Sequence, residues 1–245
     1  MLYFFVNPAS RSGKGAEKWY QVQPILTEKQ IPYQVHFLSD EPFPRSIMED
    51  IFAKEEGTIS IIIIGGDGTI NQCVNTIPDL ARAELSVLPT GSGNDFCRNK
   101  DIPKTLEEQI DNIVNKKNIR MVDRGVITYT LTSKETVTRN FVVSTGFGYD
   151  AAICHMAERS KLKKTLNKIK LGKLVYLAIG VKEIFGAKLT DMDITIDGET
   201  KQYKNVLQLC PKRACKKQIK SIQNLSGFEK TLWIWHHQPV CEHHS

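Results

Sequence analysis

The sequence predicts an α/β fold, in which a doubly wound N-terminal domain is followed by a mainly β second domain that is incomplete. Two observations support this prediction. Up to about residue 120, short apolar runs alternate with stretches of helical period, and from about Val126 the pattern changes to alternating β-rich segments. The predicted domains are residues 1–125 and 126–206, and an atypical tail follows at residues 207–245.

Four apolar runs are the predicted strands of the N-terminal domain, at residues 2–6, 33–38, 59–64 and 85–88. The helical stretches between them favour parallel strands, because a parallel crossover needs a connection of that length. Sheets of this kind carry helices on both faces and bind ligands beyond the carboxyl ends of their strands. The turns that follow the strands are therefore where binding and chemistry are expected.

Helices are predicted where apolar residues recur three and four positions apart. This spacing follows Gly68, and it follows Thr105, which is expected to form a capping box with Glu108. A further helix over residues 15–30 contains Pro24, and a proline inside a helix is expected to kink or restart it.

The second domain is predicted from shorter β-rich runs at residues 126–131, 141–144 and 192–196. Asp197-Gly198 is a favoured two-residue hairpin turn after the last of these runs. We find no strand pattern beyond residue 207.

Composition bounds the class of protein. Hydrophobic residues make up 41% and charged residues 24% of 245 residues, as in ordinary globular proteins. Six irregularly spaced cysteines do not indicate a disulfide framework, so a cytoplasmic location is expected. A net charge of +6 is too mild to indicate nucleic-acid binding. The apolar run at 174–181 is far below the ~20 residues that a membrane span needs, so any membrane contact is expected to be peripheral.

The strongest motif is Gly65-Gly66-Asp67-Gly68-Thr69, which follows an apolar strand and precedes a helix. Glycines let backbone N–H groups approach phosphate oxygens, and the helix N-terminus adds partial positive charge. A lone Gly-Asp-Gly is often only a tight turn, but this context favours a phosphate site. Because a carboxylate repels phosphate unless it coordinates a metal or takes a proton, Asp67 is predicted to be functional.

Two known phosphate motifs are excluded by spacing. A dinucleotide fingerprint needs a third glycine where this chain has Asn71, and Ser12-Gly13-Lys14-Gly15 lacks the upstream glycine and the following hydroxyl residue of a P-loop.

Two more loops follow strands and carry similar residues. Pro89-Thr90-Gly91-Ser92-Gly93-Asn94-Asp95-Phe96 follows the fourth strand, and Asn7-Pro8-Ala9-Ser10-Arg11-Ser12-Gly13-Lys14-Gly15 follows the first. The carboxyl ends of parallel strands share one edge of the sheet, so these loops are expected to converge with the Asp67 loop.

Together the three motifs resemble the catalytic domain of the diacylglycerol kinase family, which includes sphingosine kinases and bacterial lipid kinases. The segment Ser144-Thr145-Gly146-Phe147-Gly148-Tyr149-Asp150-Ala151 is similar to the glycine-rich start of the family's second domain. The resemblance extends to about residue 206.

The resemblance implies that ATP and Mg²⁺ are bound in a cleft between the two domains. It implies a catalytic role for Asp67, as metal organiser or general base near the γ-phosphate. It also implies that Asp67, Asp95 and Asp123 organise a metal, although Asp123 has an alternative as a turn former. The implied nucleotide-binding residues are Asn7, Ser10, Gly65, Gly66, Gly68, Thr69, Thr90, Gly91, Gly93 and Asn94.

The reaction implied is transfer of the γ-phosphate of ATP to the hydroxyl of a lipid such as diacylglycerol. Residues 159–173 hold seven basic and no acidic side chains with an apolar face, which suits an anionic membrane surface or, alternatively, a merely solvated helix face. The sequence is also compatible with a homodimer.

The tail, residues 207–245, departs from the family. It lacks the family's late glycine cluster and Asp-Gly, and it concentrates cysteine, histidine and tryptophan. A frame change near residue 207 explains this better than a zinc site, because no Cys-x-x-Cys pair is present. Two alternatives to a lipid kinase stay open, a non-catalytic nucleotide-binding remnant and an NAD kinase.

Overall fold

A computed structural model describes residues 1–39, 43–98, 102–130, 134–148, 189–196, 199–206, 208–209, 219–223 and 232–234. The chain divides into two compact units, Met1–Asp123 and Arg124–Ser245. The described residues contain no helix that is long and apolar enough to cross a lipid bilayer. The predicted domain limits at residues 125 and 206 stay predictions.

The first unit is built around a four-stranded parallel sheet in the order β2-β1-β3-β4. Its strands are β1 (Leu2–Val6), β2 (Tyr33–Phe37), β3 (Ile59–Gly65) and β4 (Ala83–Pro89). Its helices are α1 (Lys14–Glu28), α2 (Arg45–Lys54), α3 (Asp67–Thr76) and α4 (Leu106–Val114), with a short 3₁₀ turn at Leu80–Arg82. The predicted doubly wound α/β fold is confirmed.

Helices cover both faces of this sheet. One face buries alternate strand residues such as Phe4 and Ile62 against Trp19 and Leu26 of α1 and Ile110 of α4. Alternate strand residues point to opposite faces, so their neighbours face the other way. From β1 the chain crosses the sheet toward β2, whereas from β2 to β3 and from β3 to β4 it crosses in the opposite direction. Because such crossovers are right-handed, α2 and α3 lie on the face opposite to α1.

Pro24 does not restart α1, which is one helix from Lys14 to Glu28 with the proline inside it, and the predicted kink stays a prediction. Pro24 lies on the exposed side, where water can satisfy the freed carbonyl of Tyr20. The opposite side buries Trp19, Val22 and Leu26, and tertiary packing of such a face provides most of a helix's stability.

The second unit consists of strands among the residues that are described. β5 (Gly125–Thr130) pairs antiparallel with β6 (Thr136–Phe141), and β7 (Thr145–Gly148) follows. The predicted strand at 141–144 is wrong, since a bend at Val142 and Val143 separates β6 from β7. β8 (Thr190–Ile196) and β9 (Glu199–Val206) pair with Ile196 opposite Glu199, which fits the predicted hairpin, although its two turn residues lie outside the described residues.

Strands also occur beyond residue 207, where the sequence pattern predicted none. β10 (Gln208–Leu209) and β12 (Leu232–Ile234) pair with β7, and β11 (Ile219–Gln223) pairs with β8. The prediction failed because these strands are too short to show a clear alternation of apolar and polar residues. They also pair with strands that are far away in sequence. The cysteines and histidines of the tail lie outside the described residues.

A half-buried histidine on β2 leads to a testable pH dependence. His36 stacks on Phe5 with ring centroids 5.2 Å apart, and its Nε2 atom is buried without a partner among the described residues. Burial lowers the pKa of His36 below its usual value of 6.5. The His36 imidazole therefore binds a proton more readily in the unfolded chain than in the folded protein. The folded protein loses stability as the pH falls through about 6.5.

We expect the urea midpoint of the wild type to fall more between pH 8 and pH 5 than that of His36→Phe. The phenyl ring keeps the stack on Phe5 but cannot titrate. Equal falls in both proteins would show that His36 does not contribute to acid destabilisation.

Candidate active site

Three loops meet at the carboxyl edge of the first unit's sheet. They follow β1, β3 and β4. β1 and β3 are adjacent in the sheet, and the helices that follow them, α1 and α3, lie on opposite faces. Such a switch point is where open α/β sheets form a ligand crevice. The predicted convergence of the three loops is visible as direct contacts among their residues.

The loops after β1 and β3 are joined by a side-chain hydrogen bond. Asn7 Nδ2 donates to Thr69 Oγ1 over 3.2 Å, and Thr69 is buried in the first turn of α3. Gly65 makes room for this threonine, since a Cβ on Gly65 would lie 2.6 Å from Thr69 Oγ1. Asn7 is thereby held across the start of α3.

The loops after β1 and β4 are joined in the same way. Thr90 Oγ1 donates to Ser10 Oγ over 3.0 Å, and the Thr90 backbone N–H donates to the Gly65 carbonyl over 2.9 Å. Thr90 is buried and so contacts both neighbouring loops. Asn7, Ser10, Thr69 and Thr90, all predicted from the sequence, therefore lie close together.

The loops after β3 and β4 touch through their backbones. A Cβ added to Gly66 would lie 2.9 Å from Gly91 Cα, and one added to Gly91 would lie 2.7 Å from Gly66 Cα. Only hydrogen fits on both sides of this contact. The glycines are thus needed for close approach and not for positive φ, because neither is among the positive-φ glycines.

Asp67 joins the loop after β3 to the loop after β4. Its Oδ2 accepts the backbone N–H of Asp95 over 3.0 Å, and its Oδ1 accepts that of Phe96 over 2.8 Å. Asp67 is only 4% exposed, so both bonds form away from water. Sequence analysis missed this role, because the partners are backbone groups 28 and 29 residues away.

Asn94 closes the β4 loop on itself. It adopts a left-handed φ of 52°, which asparagine tolerates better than most residues. Its side-chain amide accepts the Gly91 N–H over 2.9 Å and donates to the Gly91 carbonyl over 3.1 Å. The glycines at 91 and 93 and Asn94 therefore shape a closed turn beside Asp67.

The three aspartates predicted to organise a metal differ in their placement. Asp67 and Asp95 lie together, since a Cβ on Gly93 would be 3.4 Å from an oxygen of each. Asp95 also pairs with Arg98 over 2.6 Å, a contact that the i, i+3 spacing could have indicated. Asp123 is exposed, and no group of three or more potential metal ligands forms within the described part of the chain. The metal role of the three stays a prediction.

Gly15 was also missed. Its position in the first turn of α1 is buried, and an added Cβ would lie 1.8 Å from the Asn7 carbonyl oxygen. The signal was present, as a glycine ending the Asn7–Gly15 motif at the start of a predicted helix.

Comparison with known proteins decides the family. The diacylglycerol kinase catalytic domain model matches residues 1–127, which include all three loops. The chain belongs to this family.

Diacylglycerol kinases and related proteins are similar over most of this chain. A Bacillus subtilis protein named lipid kinase YtlR is 27% identical over 210 residues, covering 83% of this chain and 66% of that protein. A Staphylococcus aureus diacylglycerol kinase is 26% identical, covering 92% of this chain and 64% of the kinase. A crystal structure of a diacylglycerol kinase from Bacillus anthracis matches the fold with a TM-score of 0.55 at 20% identity, covering 85% of this chain and 62% of that one. The chain spans just under two thirds of each of these proteins.

As a member of the diacylglycerol kinase catalytic domain family, the chain carries its glycine-rich loops at the carboxyl edge of the sheet. The glycine-rich segment of the second unit begins at Ser144. Ser144 and Thr145 are both buried, and Thr145 is the first residue of β7. Its final residues, from Tyr149, lie outside the described residues.

Proposed function

We propose that this chain is an ATP-dependent lipid kinase that transfers the γ-phosphate of ATP to the hydroxyl of a lipid acceptor such as diacylglycerol. The observation that carries the proposal is the carboxyl-edge site, in which three phosphate-suited loops of a diacylglycerol kinase catalytic domain are bonded to one another. Family membership favours a lipid acceptor over NAD.

The start of α3 suits phosphate. The first turn of a helix leaves N–H groups without acceptors inside the helix, and here they belong to Asp67, Gly68 and Thr69. The positive end of the helix dipole adds to this preference for an anion. Gly66 at the N-cap adds no side chain that would stand in the way. We place the nucleotide phosphates at this turn, beside Asn7 and Thr90.

Asp67 and Asp95 fit a magnesium ion that arrives with the nucleotide. Mg²⁺ is usually bound by one or two carboxylates together with phosphate oxygens and water. An oxygen of each carboxylate would lie 3.4 Å from a Cβ added to Gly93, so the two carboxylates border the same space, and both Asp67 oxygens accept backbone N–H groups. The chemistry that Mg²⁺ supplies in phosphoryl transfer is neutralisation of charge on the phosphates.

We give Asp67 a positioning role in preference to that of general base. Both of its oxygens are engaged by the loop backbone, so its geometry favours holding the loop and a metal over accepting a proton from the acceptor hydroxyl. Peripheral contact with a membrane is part of the proposal, because the acceptor is a lipid. The basic segment expected to provide that contact, residues 159–173, lies outside the described residues.

A direct transfer assay tests the function. The purified chain is incubated with γ-labelled ATP, Mg²⁺ and mixed micelles containing diacylglycerol, and the products are separated by thin-layer chromatography. We expect label in the lipid, and none when NAD replaces the lipid. Label in NAD alone would identify an NAD kinase, and ATP binding without transfer to any of a panel of lipid alcohols would identify a non-catalytic remnant.

A further inference from the structure

The four-stranded sheet of the first unit has two edges, and they differ in how they are protected. Among the described residues, β2 pairs only with β1 and β4 pairs only with β3. An edge strand presents N–H and C=O groups that can pair with another chain, and proteins usually block such edges with charged side chains, proline or a bulge. The β4 edge carries two of these devices, Pro89 and Glu84, which pairs with Lys116 over 2.9 Å.

The β2 edge has no such protection. Its residues, Tyr33–Phe37, include no lysine, arginine, aspartate, glutamate or proline, and they pair in unbroken register with β1. Pro32 comes directly before the strand, but it faces β1, since its carbonyl accepts the Leu2 N–H over 3.1 Å. The missing N–H of this proline therefore does not interrupt the open edge.

The outward-facing backbone groups of β2 belong to alternate residues. Leu38, just after the strand, donates its N–H to the Val6 carbonyl over 2.7 Å, so the even-numbered residues of β2 pair with β1. The N–H and C=O groups of Tyr33, Val35 and Phe37 therefore point toward the open edge. Three residues in a row of alternate positions are thus ready to form a ladder with another strand.

The surface around this edge is aromatic. Tyr33 and Phe37 pack against Trp19 of α1, with ring centroids 5.6 and 6.0 Å away, yet Phe37 is still 56% exposed. Tyr20, which follows Trp19 in α1, is 71% exposed. Tyrosine and phenylalanine are enriched in the cores of protein interfaces, where charged residues are depleted.

One stripe of α1 continues this surface on the β2 side. Four residues at helical spacing form the stripe, and none of them is charged: Ala16, Tyr20, Gln23 and Thr27. It lies opposite the stripe with Lys14 and Lys18, which is next to Pro89 at the end of β4. Charged residues make up 24% of the chain and concentrate on protein surfaces, so an uncharged patch that spans a strand and a helix stripe indicates an interface.

We propose that the β2 edge is the interface of a homodimer, in which two copies of β2 pair antiparallel across a twofold axis at Val35. Val35 then pairs with its own counterpart, and Tyr33 of each copy pairs with Phe37 of the other. Each of these pairs exchanges two hydrogen bonds, and the aromatic pairs cover the exposed surface of Phe37. On the other face of the sheet Gln34 lies opposite His36, so at neutral pH no like charges meet across the axis.

A second copy of this chain fits the edge better than a different partner. Twofold homodimers are the commonest soluble oligomers, and their interface uses the same patch on both subunits. β2 meets this condition, because an aromatic residue stands at each end and a β-branched valine at its centre. The carboxyl edges of the two sheets, with the two three-loop sites, then point in opposite directions. The dimer does not depend on the reaction proposed above.

Matched proline variants of the full chain test this interface. Val35→Pro removes an outward N–H from the β2 edge. Val87→Pro does the same at the β4 edge, since the Thr90 N–H donates to the Gly65 carbonyl and Val87 is therefore an outward position. Sedimentation equilibrium measures the dissociation constant of the dimer. We expect the wild type and Val87→Pro to be equally dimeric, and Val35→Pro to dissociate at least about tenfold more readily, because both bonds at the twofold axis are lost.

Two side-chain variants keep the test decisive if proline at position 35 prevents folding. Phe37→Lys leaves the backbone groups intact but removes the aromatic pair and adds the charge that guards other edges, so the dimer should weaken at least about tenfold. Val35→Cys places two thiols at the twofold axis with Cα atoms about 5.5 Å apart, which is within disulfide range. Mild oxidation should therefore crosslink it faster than the wild type or Val87→Cys.

Three results would overturn the proposal. A wild type that stays monomeric at about 100 μM would refute the dimer, since even weak specific interfaces have micromolar dissociation constants. A dimer that Val35→Pro and Phe37→Lys leave as stable as Val87→Pro does would place the contact elsewhere. Crosslinking of Val35→Cys no faster than that of Val87→Cys would contradict a twofold axis at Val35. The lipid transfer assay is a separate test, so failure of the dimer leaves the proposed function standing.

Discussion

Replacing Asp67 by asparagine is expected to lower phosphoryl transfer at least ~10²-fold, the usual scale for a lost electrostatic or acid–base contributor. Asparagine keeps one acceptor oxygen but turns an NH₂ group toward a backbone N–H of the β4 loop. One of the two loop bonds is then lost, and a buried N–H is left unpaired. An unpaired buried donor costs about 1–3 kcal/mol, so the free energy of unfolding should fall as well.

Two measurements check this expectation. The transfer assay with diacylglycerol micelles gives the rate, and urea unfolding gives the stability. Asp50→Asn is the matched control, because it makes the same chemical change at an exposed position on α2. Near-normal transfer and stability in Asp67→Asn would mean that the bonds to Asp95 and Phe96 do not organise the site.

Gly15→Ala is expected to destabilise the first unit by about 3 kcal/mol, at the upper end of the usual cost of overpacking. The new methyl group would lie 1.8 Å from the Asn7 carbonyl oxygen, and neither α1 nor the loop can yield without moving backbone. Asn7 would then shift away from Thr69, so nucleotide binding should weaken in the same variant.

The control for this substitution is Gly57→Ala. Gly57 has open space around its Cα but a left-handed φ of 70°, so alanine there costs roughly 1–2 kcal/mol from backbone strain alone. Thermal unfolding of both variants, with and without ATP, separates the two effects. A Gly15→Ala protein as stable as Gly57→Ala, with unchanged ATP binding, would contradict the steric argument.

The parts of this molecule that sequence could predict are those determined by neighbours in the chain. The buried run Ile61, Ile62, Ile63 and Ile64 specifies a central strand by itself, and glycines after it specify a close-packed turn. Thr105 accepts the N–H of Glu108, as expected from a spacing of three residues. In each case the deciding interaction spans fewer than ten residues.

The parts that escaped prediction depend on distant partners. Asp67 was expected to act on a ligand, yet its oxygens bind the backbone of a loop that no local pattern connects to it. A restart of α1 at Pro24 was one expected outcome, but α1 continues through the proline, because burial of Trp19 against the sheet outweighs the missing hydrogen bond. The short strands after residue 207 exist only through pairing with β7 and β8.

The position of β1 inside the sheet has a consequence for synthesis on the ribosome. β1 pairs with β2 on one side and with β3 on the other, although β3 ends almost sixty residues later, at Gly65. At about 5–20 residues per second, roughly 3 to 12 s pass before β3 has been translated. For that time the apolar β1 has an open edge, and the nascent chain exposes a segment that chaperones would recognise.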